Sequence, residues 1–344
     1  YPQNFSSLSL LNYIATTHNL TSLKQPYLSI IGNFKTNKIQ QKLIKLCKVA
    51  TIPKKLSRST IGIVGSQNYG QVDTIINEFE MRKIVPGLIY LDTLELVELY
   101  KKVDRKEALR ISQKKIKNIK KVDIPDELII NALSWYMATK RLVKEFKLDA
   151  ITIRSWPELK TYQSFDGALT ASMLNEDGIV CIQEIDISAT ITALILYFLV
   201  KNPVFCGEIT LVNFKENAFI LFHCGEAAFS LASNLKDISL IKSTIYNSMD
   251  LQLPLKAGKI TLAKLTFDIN ENIYKMIIKK GTSLTIRGKE QQGVSALIKL
   301  DEEIEAFIHQ WIEHNFEHHI IMVYGDYQEE LLALCEIMGI RAIL

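Results

Sequence analysis

Two rhythms of apolar and polar positions divide the chain. Up to about Val200, short apolar runs alternate with longer stretches of helical period. The runs TIGIVG (60–65), GLIYLD (87–92), DAITI (149–153) and IVCI (179–182) predict buried strands. The stretches 72–83, from Thr93 onward, 123–146 and 165–175 predict helices, with Thr93 as a cap and Pro125 near a first turn. This alternation predicts a Rossmann-like, doubly wound parallel sheet. After Lys201-Asn202-Pro203 the pattern changes. Runs of β character recur at 205–213, 218–223, 259–268, 273–279, 283–287 and 294–299, punctuated by Gly at 225, 258, 281, 288 and 293. They predict an antiparallel, β-barrel-like domain. A helix from Asp301, a strand at 319–324 and a helix at 327–338 complete it. Residues 1–55 are the least legible, with a strand expected at 25–32 and an amphipathic helix at 39–49. The expected organisation is an abbreviated N-terminal α/β segment (1–55), an α/β domain (56–202) and a β-rich domain (203–344). A linker is expected at 51–59, and the active site between the last two units. The chain opens on Tyr1 without Met, so an N-terminal portion is expected to be missing.

Composition narrows the class. With 344 residues, 48% apolar and 9% aromatic, the chain can bury two or three cores. A net charge of +4 is too small to argue for nucleic acid. Eight Lys and two Arg fall within 101–121 without interleaved aromatics, which favours a solvated helix face over a nucleic-acid surface. The five Cys form no CxxC and lie mostly in apolar runs, the usage of reduced thiols in a cytoplasmic protein. The longest apolar stretch, 191–200, is about half a membrane span, so no membrane role is expected.

The chemistry concentrates between Cys181 and Gly225. Glu184, Glu208 and His223 each stand where an apolar run stops. In open α/β sheets, sites form at the carboxyl ends of strands. Two carboxylates and an imidazole suit a hard or borderline divalent metal, Mn²⁺ or Mg²⁺ above all, although such residues also fall at strand ends by chance. Near the C-terminus Glu317-His318-His319 precedes the strand run IIMVY. Other candidates are weaker. The turn Ser66–Gly70 is neither GxGxxG nor a P-loop, so a βα turn is favoured over a phosphate cradle. Arg154 and Trp156 follow a strand. His309 and His314 are five apart, do not share a helix face, and are not counted as ligands. Asp186 either orients a ligand or caps the next helix, with the cap favoured. Glu226 is read as exposed and is assigned nothing.

As a set, the carboxylate pair Glu184 and Glu208, His223 in an HCG setting and the late His318-His319 doublet resemble the L-fucose isomerase and L-arabinose isomerase family. The segments SRSTIGIVGSQ, LKAGKITLAKLT and HHIIMVYGDYQEEL extend the likeness from about Ser57 to the end. The resemblance implies a metal-dependent aldose–ketose isomerase. It also implies Mn²⁺ (with Mg²⁺ or Co²⁺ as alternatives) held by Glu184, Glu208, His223 and His319, and a homo-oligomer, trimer or hexamer. A proton passes between C1 and C2 through a metal-stabilised enediolate, with Glu184 and Glu208 as the acid–base pair. His318 serves as a neighbour of the ligands or a hydrogen-bond donor to a sugar hydroxyl. Arg154 and Trp156 face the sugar, although domain packing is an equal reading for Trp156. One departure matters: the fucose-type enzymes carry Asp at the position of Glu208 and lack a counterpart of His223. The substrate is therefore expected to be a deoxyhexose or pentose, with a sulfonated or otherwise modified hexose as the alternative. A catalytically inactive sugar-binding relative is the competing class, followed by a periplasmic-type binding protein, against which the Cys usage speaks.

Overall fold

A computed structural model describes residues 9–68, 70–122, 124–243, 246–286 and 293–344, the side chains of residues 158 and 162 excepted. Tyr69 of the Ser66–Gly70 turn, the expected helix start at Asp123, the strand end at Arg287 and the punctuating Gly288 lie outside them. The chain begins with helices α1 (Ser9–Ser22), α2 (Asn37–Ala50) and α3 (Ile52–Leu56). No strand forms at 25–32, where the backbone is irregular. No described strand borders it to supply a ladder, and Pro26 lacks a donor. The expected linker is largely α3, which carries a Pro in its first turn and buries Ile52 and Leu56 completely.

Next come β1 (Thr60–Val64), α4 (Glu78–Ile84), β2 (Gly87–Leu91), α5 (Thr93–Lys101), α6 (Arg105–Lys115), β3 (Lys120–Val122) and α7 (Asp126–Glu145). They are followed by β4 (Ala150–Ile153), α8 (Glu158–Gln163), α9 (Gly167–Glu176), β5 (Val180–Gln183) and α10 (Ile187–Val200). The helix expected from Val72 is a single 3₁₀ turn, and α4 starts only after Asn77, whose side chain accepts the Glu80 N–H. Asp92, not Thr93, caps α5 by accepting the Leu94 N–H. The Lys-rich stretch forms α6 and β3, and its cations pair with surface carboxylates such as Glu107 and Asp177. Strands β1, β2, β4 and β5 make an all-parallel sheet in the order β2-β1-β4-β5. Both its faces are covered, as parallel strands require. Ile151, Ile153 and Cys181 join a core with α7 and α9, whereas Ala150, Val180 and Ile182 join a second core with α10.

The remainder contains β6 (Phe205–Asn213), β7 (Ala218–His223), β8 (Ser239–Lys242), β9 (Met249–Pro254), β10 (Gly258–Asp268), β11 (Ile273–Leu284) and β12 (Val294–Leu300). After these come α11 (Ile304–Glu313), β13 (His319–Tyr324), α12 (Gln328–Met338) and β14 (Arg341–Ile343). These strands and β3 form a ten-stranded mixed sheet in the order β14-β11-β10-β13-β6-β7-β12-β9-β8-β3. Antiparallel pairing also joins β11 to β12, so β11, β10, β13, β6, β7 and β12 close a ring of pairings. Parallel pairs occur at β11–β14, β12–β9 and β3–β8. The two runs expected at 273–279 and 283–287 are one long strand through Gly281, where a Cβ would stand 2.3 Å from the Lys299 carbonyl oxygen. β3, from the first half of the chain, completes the edge of the sheet built by the second. Helix α11 begins at Ile304 and not at Asp301.

Candidate metal centre

Glu184 leaves the end of β5 at a turn that places two successive non-glycine residues, Glu184 (φ 69°) and Ile185 (φ 55°), in the left-handed region. Each costs of order 1 kcal/mol or more, a strain that clusters at functional sites. The turn is pinned by the Glu184 N–H, which donates to the Ile153 carbonyl at 2.9 Å, and by Asp186, which accepts the Ala189 N–H at 2.7 Å to cap α10. The apolar run before Glu208 stops at Gly207, but β6 continues to Asn213, so Glu208 lies within a strand and not at its end. Only the burial ends there. Across the antiparallel pairing Glu208 sits opposite His319, the first residue of β13, and opposite Phe222 of β7, next to His223. Register therefore gathers three of the four residues, and the docking of β5 against the mixed sheet supplies the fourth.

One ligand atom from each of Glu184, Glu208, His223 and His319 lies within 4.8 Å of the others. His319 Nε2 stands 3.8 Å from both Glu184 Oε2 and Glu208 Oε1. The His319 ring is fully buried. Its Nδ1 lies 3.0 Å from Asp186 Oδ2, and a carboxylate only accepts, so Nδ1 carries the proton. In the neutral ring Nε2 then holds a lone pair, and it is buried with no hydrogen-bond partner among the described residues. A buried unpaired nitrogen is costly unless something occupies it. His223 is also buried, and burial pulls it down to about 4, keeping it neutral as a ligand must be. The donor set, two carboxylates and two imidazoles, fits a divalent cation such as Mn²⁺.

The two carboxylates differ. Burial opposes ionisation of Glu184, but His318, His223, His319 and the amide of Gln71 hold it down to about 2. Glu208 is moved upward, first by burial and then by the nearby Glu184 and Asp73 charges, against the pull of His319 and His318. Environments that push a carboxylate pair apart are what an acid–base pair needs. His318 faces the same space, its Nε2 3.9 Å from Glu184 Oε2 and 4.0 Å from Glu208 Oε1, while its Nδ1 contacts Asp73 Oδ2 at 2.6 Å.

Arg154 follows β4 as Glu184 follows β5, and these strands are neighbours with Ile153 opposite Gln183. Its Nη1 donates to Ser66 Oγ at 2.5 Å, and with Ser66 and Thr93 it lines a pocket of about 280 Å³. Trp156 is 37% exposed and donates its ring N–H to the Tyr246 hydroxyl at 2.6 Å. Glu226 corrects its sequence reading. It is 1% exposed, accepts the Gln183 N–H at 2.8 Å, and lies 3.1 Å from His223 Nε2. Burial, then the charges of Glu184 and Glu208, moves it well above the ordinary range. Asp186 both caps and orients, through different oxygens. Gln71, Asp73 and Lys264 were not singled out from sequence. Gln71 precedes the short 3₁₀ turn that carries Asp73, and Lys264 is a charge flanked by Ala263 and Leu265 in β10, which is the one signal that could have marked it. Three of the five Cys are buried, and Cys47 and Cys224 are exposed. Among the described residues no helix is long and apolar enough to cross a membrane.

Comparison with known proteins points to sugar isomerases. Residues 221–344 match the family model described as "L-fucose isomerase, C-terminal domain", a span that includes His223 and His319. Sulfoquinovose isomerases of Priestia aryabhattai and Priestia megaterium are each 24% identical to the chain over 338 residues, covering 97% of it and 75% of their own length. The sulfoquinovose isomerase of Alkalicoccus urumqiensis is 23% identical over 343 residues, covering 97% of this chain and 76% of its own. These alignments extend the likeness beyond the family model to the parallel-sheet half, where Glu184 resides. The family model over 221–344 and the relatives over nearly the whole chain together support a fucose isomerase-like sugar isomerase.

Proposed function

We propose that the protein is a divalent-cation-dependent aldose–ketose isomerase whose substrate is a sulfonated hexose, rather than the deoxyhexose or pentose that the ligand pattern first suggests. The observation that carries the chemistry is the convergence of Glu184, Glu208, His223 and His319 around the unpartnered Nε2 of His319. The names of the relatives favour the sulfonated substrate. Glu184, Glu208, His223 and His319 would hold the cation, Mn²⁺ by preference, with Mg²⁺ or Co²⁺ as alternatives. Bound there, the cation would act as a Lewis acid on the substrate oxygens.

The chain's own groups do the rest. Glu208, the carboxylate held above its ordinary range, takes and returns the carbon-bound proton, and Glu184 stays ionised opposite it. His318, held protonated by Asp73, presents an N–H to a substrate oxygen. Arg154 offers a planar cation to the sulfonate from the neighbouring strand end, and Trp156 offers an exposed ring to a sugar face. The ring of six pairings is the barrel-like unit of the second half, and a trimer or hexamer is the proposed assembly. The test incubates Mn²⁺-loaded protein with sulfoquinovose in D₂O and follows exchange at C2 together with ketose formation. Fucose, arabinose and unsubstituted glucose serve as the comparison panel. Exchange restricted to sulfoquinovose supports the reading. Faster exchange on fucose or arabinose returns the substrate to the unsulfonated class, and no exchange on any sugar favours the non-catalytic sugar-binding relative.

A further inference from the structure

Strand β10 is buried from Ile260 to Thr266, and Lys264 is the one charged residue in that span, its side chain wholly inaccessible to solvent. A lysine is almost never fully buried without a partner. Its ammonium donates to Asp186 Oδ2 at 2.8 Å, the oxygen that also receives His319 Nδ1 at 3.0 Å. Asp186 is itself 0% exposed, and its other oxygen is committed to the α10 cap. Glu317 Oε2 lies 3.7 Å from the ammonium, and its Oε1 accepts from Thr266 at 2.8 Å. The result is a linear order, Lys264 to Asp186 to His319, ending on the ring nitrogen that faces Glu184 and Glu208. An isolated buried carboxylate is strongly disfavoured, and its neutral form would offer a hydroxyl where His319 needs an acceptor.

We propose that Lys264 is a positioning residue of the centre: by supplying the counter-charge of Asp186, it fixes His319 as the Nδ1–H tautomer with its Nε2 lone pair facing the two glutamates. Burial opposes the charge on Lys264, but Asp186 and Glu317 outweigh it and raise its pKa. The inference rests on the proposed metal role of His319 only for its effect on affinity, since the tautomer belongs to the metal-free protein.

The test is a long-range ¹H–¹⁵N correlation on metal-free, ¹⁵N-histidine-labelled protein, which separates protonated from unprotonated ring nitrogens. The chain has six His, and His319→Asn identifies the relevant signals by their loss. Wild type is expected to show His319 protonated at Nδ1 alone. Lys264→Met is expected to give a mixture or the opposite tautomer, and to lower Mn²⁺ affinity by about 10- to 100-fold in competition with a chromophoric chelator. Wild-type His319 protonated at Nε2, or an unchanged signature in Lys264→Met, overturns the proposal. Lys264→Met strands a buried carboxylate and can fail to fold, so the double variant Lys264→Met, Asp186→Asn, which removes both charges of that pair and leaves Glu317 beside it, is the second arm. The Ala189 N–H claims the one oxygen of the new amide, so its NH₂ faces Nδ1 and forces the proton to Nε2. Retention of Nδ1–H in that variant overturns the proposal as well. A wild type that shows the expected tautomer but binds no Mn²⁺ supports the role of Lys264 and removes the metal reading instead.

Discussion

Asp73→Asn isolates what holds the charge on His318. In the metal-free protein His318 is raised from 6.5 to about 9. Burial works against that, and contacts with Glu184 and Asp73 overcome it. The 3.9 Å separation from Glu184 is too long for a hydrogen bond, whereas Asp73 Oδ2 takes both the ring Nδ1 at 2.6 Å and the backbone N–H at 3.1 Å. Asp73 therefore carries most of the effect. Removing one carboxylate charge at this distance lowers a neighbouring cation's pKa by about 1 to 3. The His318 midpoint in Asp73→Asn is accordingly expected to fall by about one pH unit or more. At 1.36 kcal/mol per pH unit the full elevation corresponds to roughly 3 kcal/mol. The ring is 31% exposed, and solvent screening reduces that to about 1–2 kcal/mol. Because the folded-state pKa is raised, this stabilisation is fully present below pH 6.5 and is lost as pH rises through about 9. Histidine NMR titration of the metal-free protein gives the midpoint directly. Urea midpoints for wild type and Asp73→Asn give the energy: they should differ at pH 6 and converge once the pH is above the wild-type midpoint. A wild-type His318 titrating near 6.5, or an Asp73→Asn midpoint equal to wild type, would refute the reasoning.

Three further outcomes are expected. Glu184→Gln and Glu208→Gln should each lower kcat by roughly 10²-fold or more, read as C2 exchange with solvent, and intact exchange in both variants would place the base elsewhere. Gly225→Ala drives a Cβ to within 2.4 Å of Ala168 Cβ and 2.5 Å of its Cα, so a loss of about 1–3 kcal/mol in urea unfolding is expected, and an unchanged midpoint would contradict the packing. Trp135→Ala removes a buried ring stacked on Tyr100 at 4.0 Å and edge-on to Phe165 at 5.1 Å, with an expected loss of about 3–5 kcal/mol by the same measurement.

The sequence made the buried strands legible because apolar runs bounded by turn residues have few alternatives. β1, β2, β4, β5, β6, β7 and β13 fall where those runs predict them. It was poor at short, polar or two-sided elements. β3 (Lys-Lys-Val) is a strand because it pairs with β8, which itself pairs with β9, and periodicity does not record a long-range partner. The 25–32 run is apolar enough for a strand but has no strand partner among the described residues. At the centre, the ligand-type residues were visible as residue types at run ends. Their supports were not: Glu226 looks like any surface Glu after a Gly, and Asp73 reads as an acid in the first turn of an expected helix until the fold brings His318 to it. Lys264, flanked by Ala263 and Leu265, was the one such residue whose context was anomalous in the sequence itself.

The four donors come from both sheets: Glu184 from the end of the parallel one, Glu208, His223 and His319 from the mixed one. A cation bound there would be a cross-link between two layers that the unfolded chain does not hold together. Binding to the folded state alone adds RT ln(1 + [M]/Kd), about 2.7 kcal/mol when free metal is a hundred times Kd. Supply of the ion would then set the lifetime of the protein as well as its turnover. In cells starved of that metal, a larger share of molecules would visit open states and meet proteases. The steady-state amount of the protein would follow the ion even if its synthesis did not change.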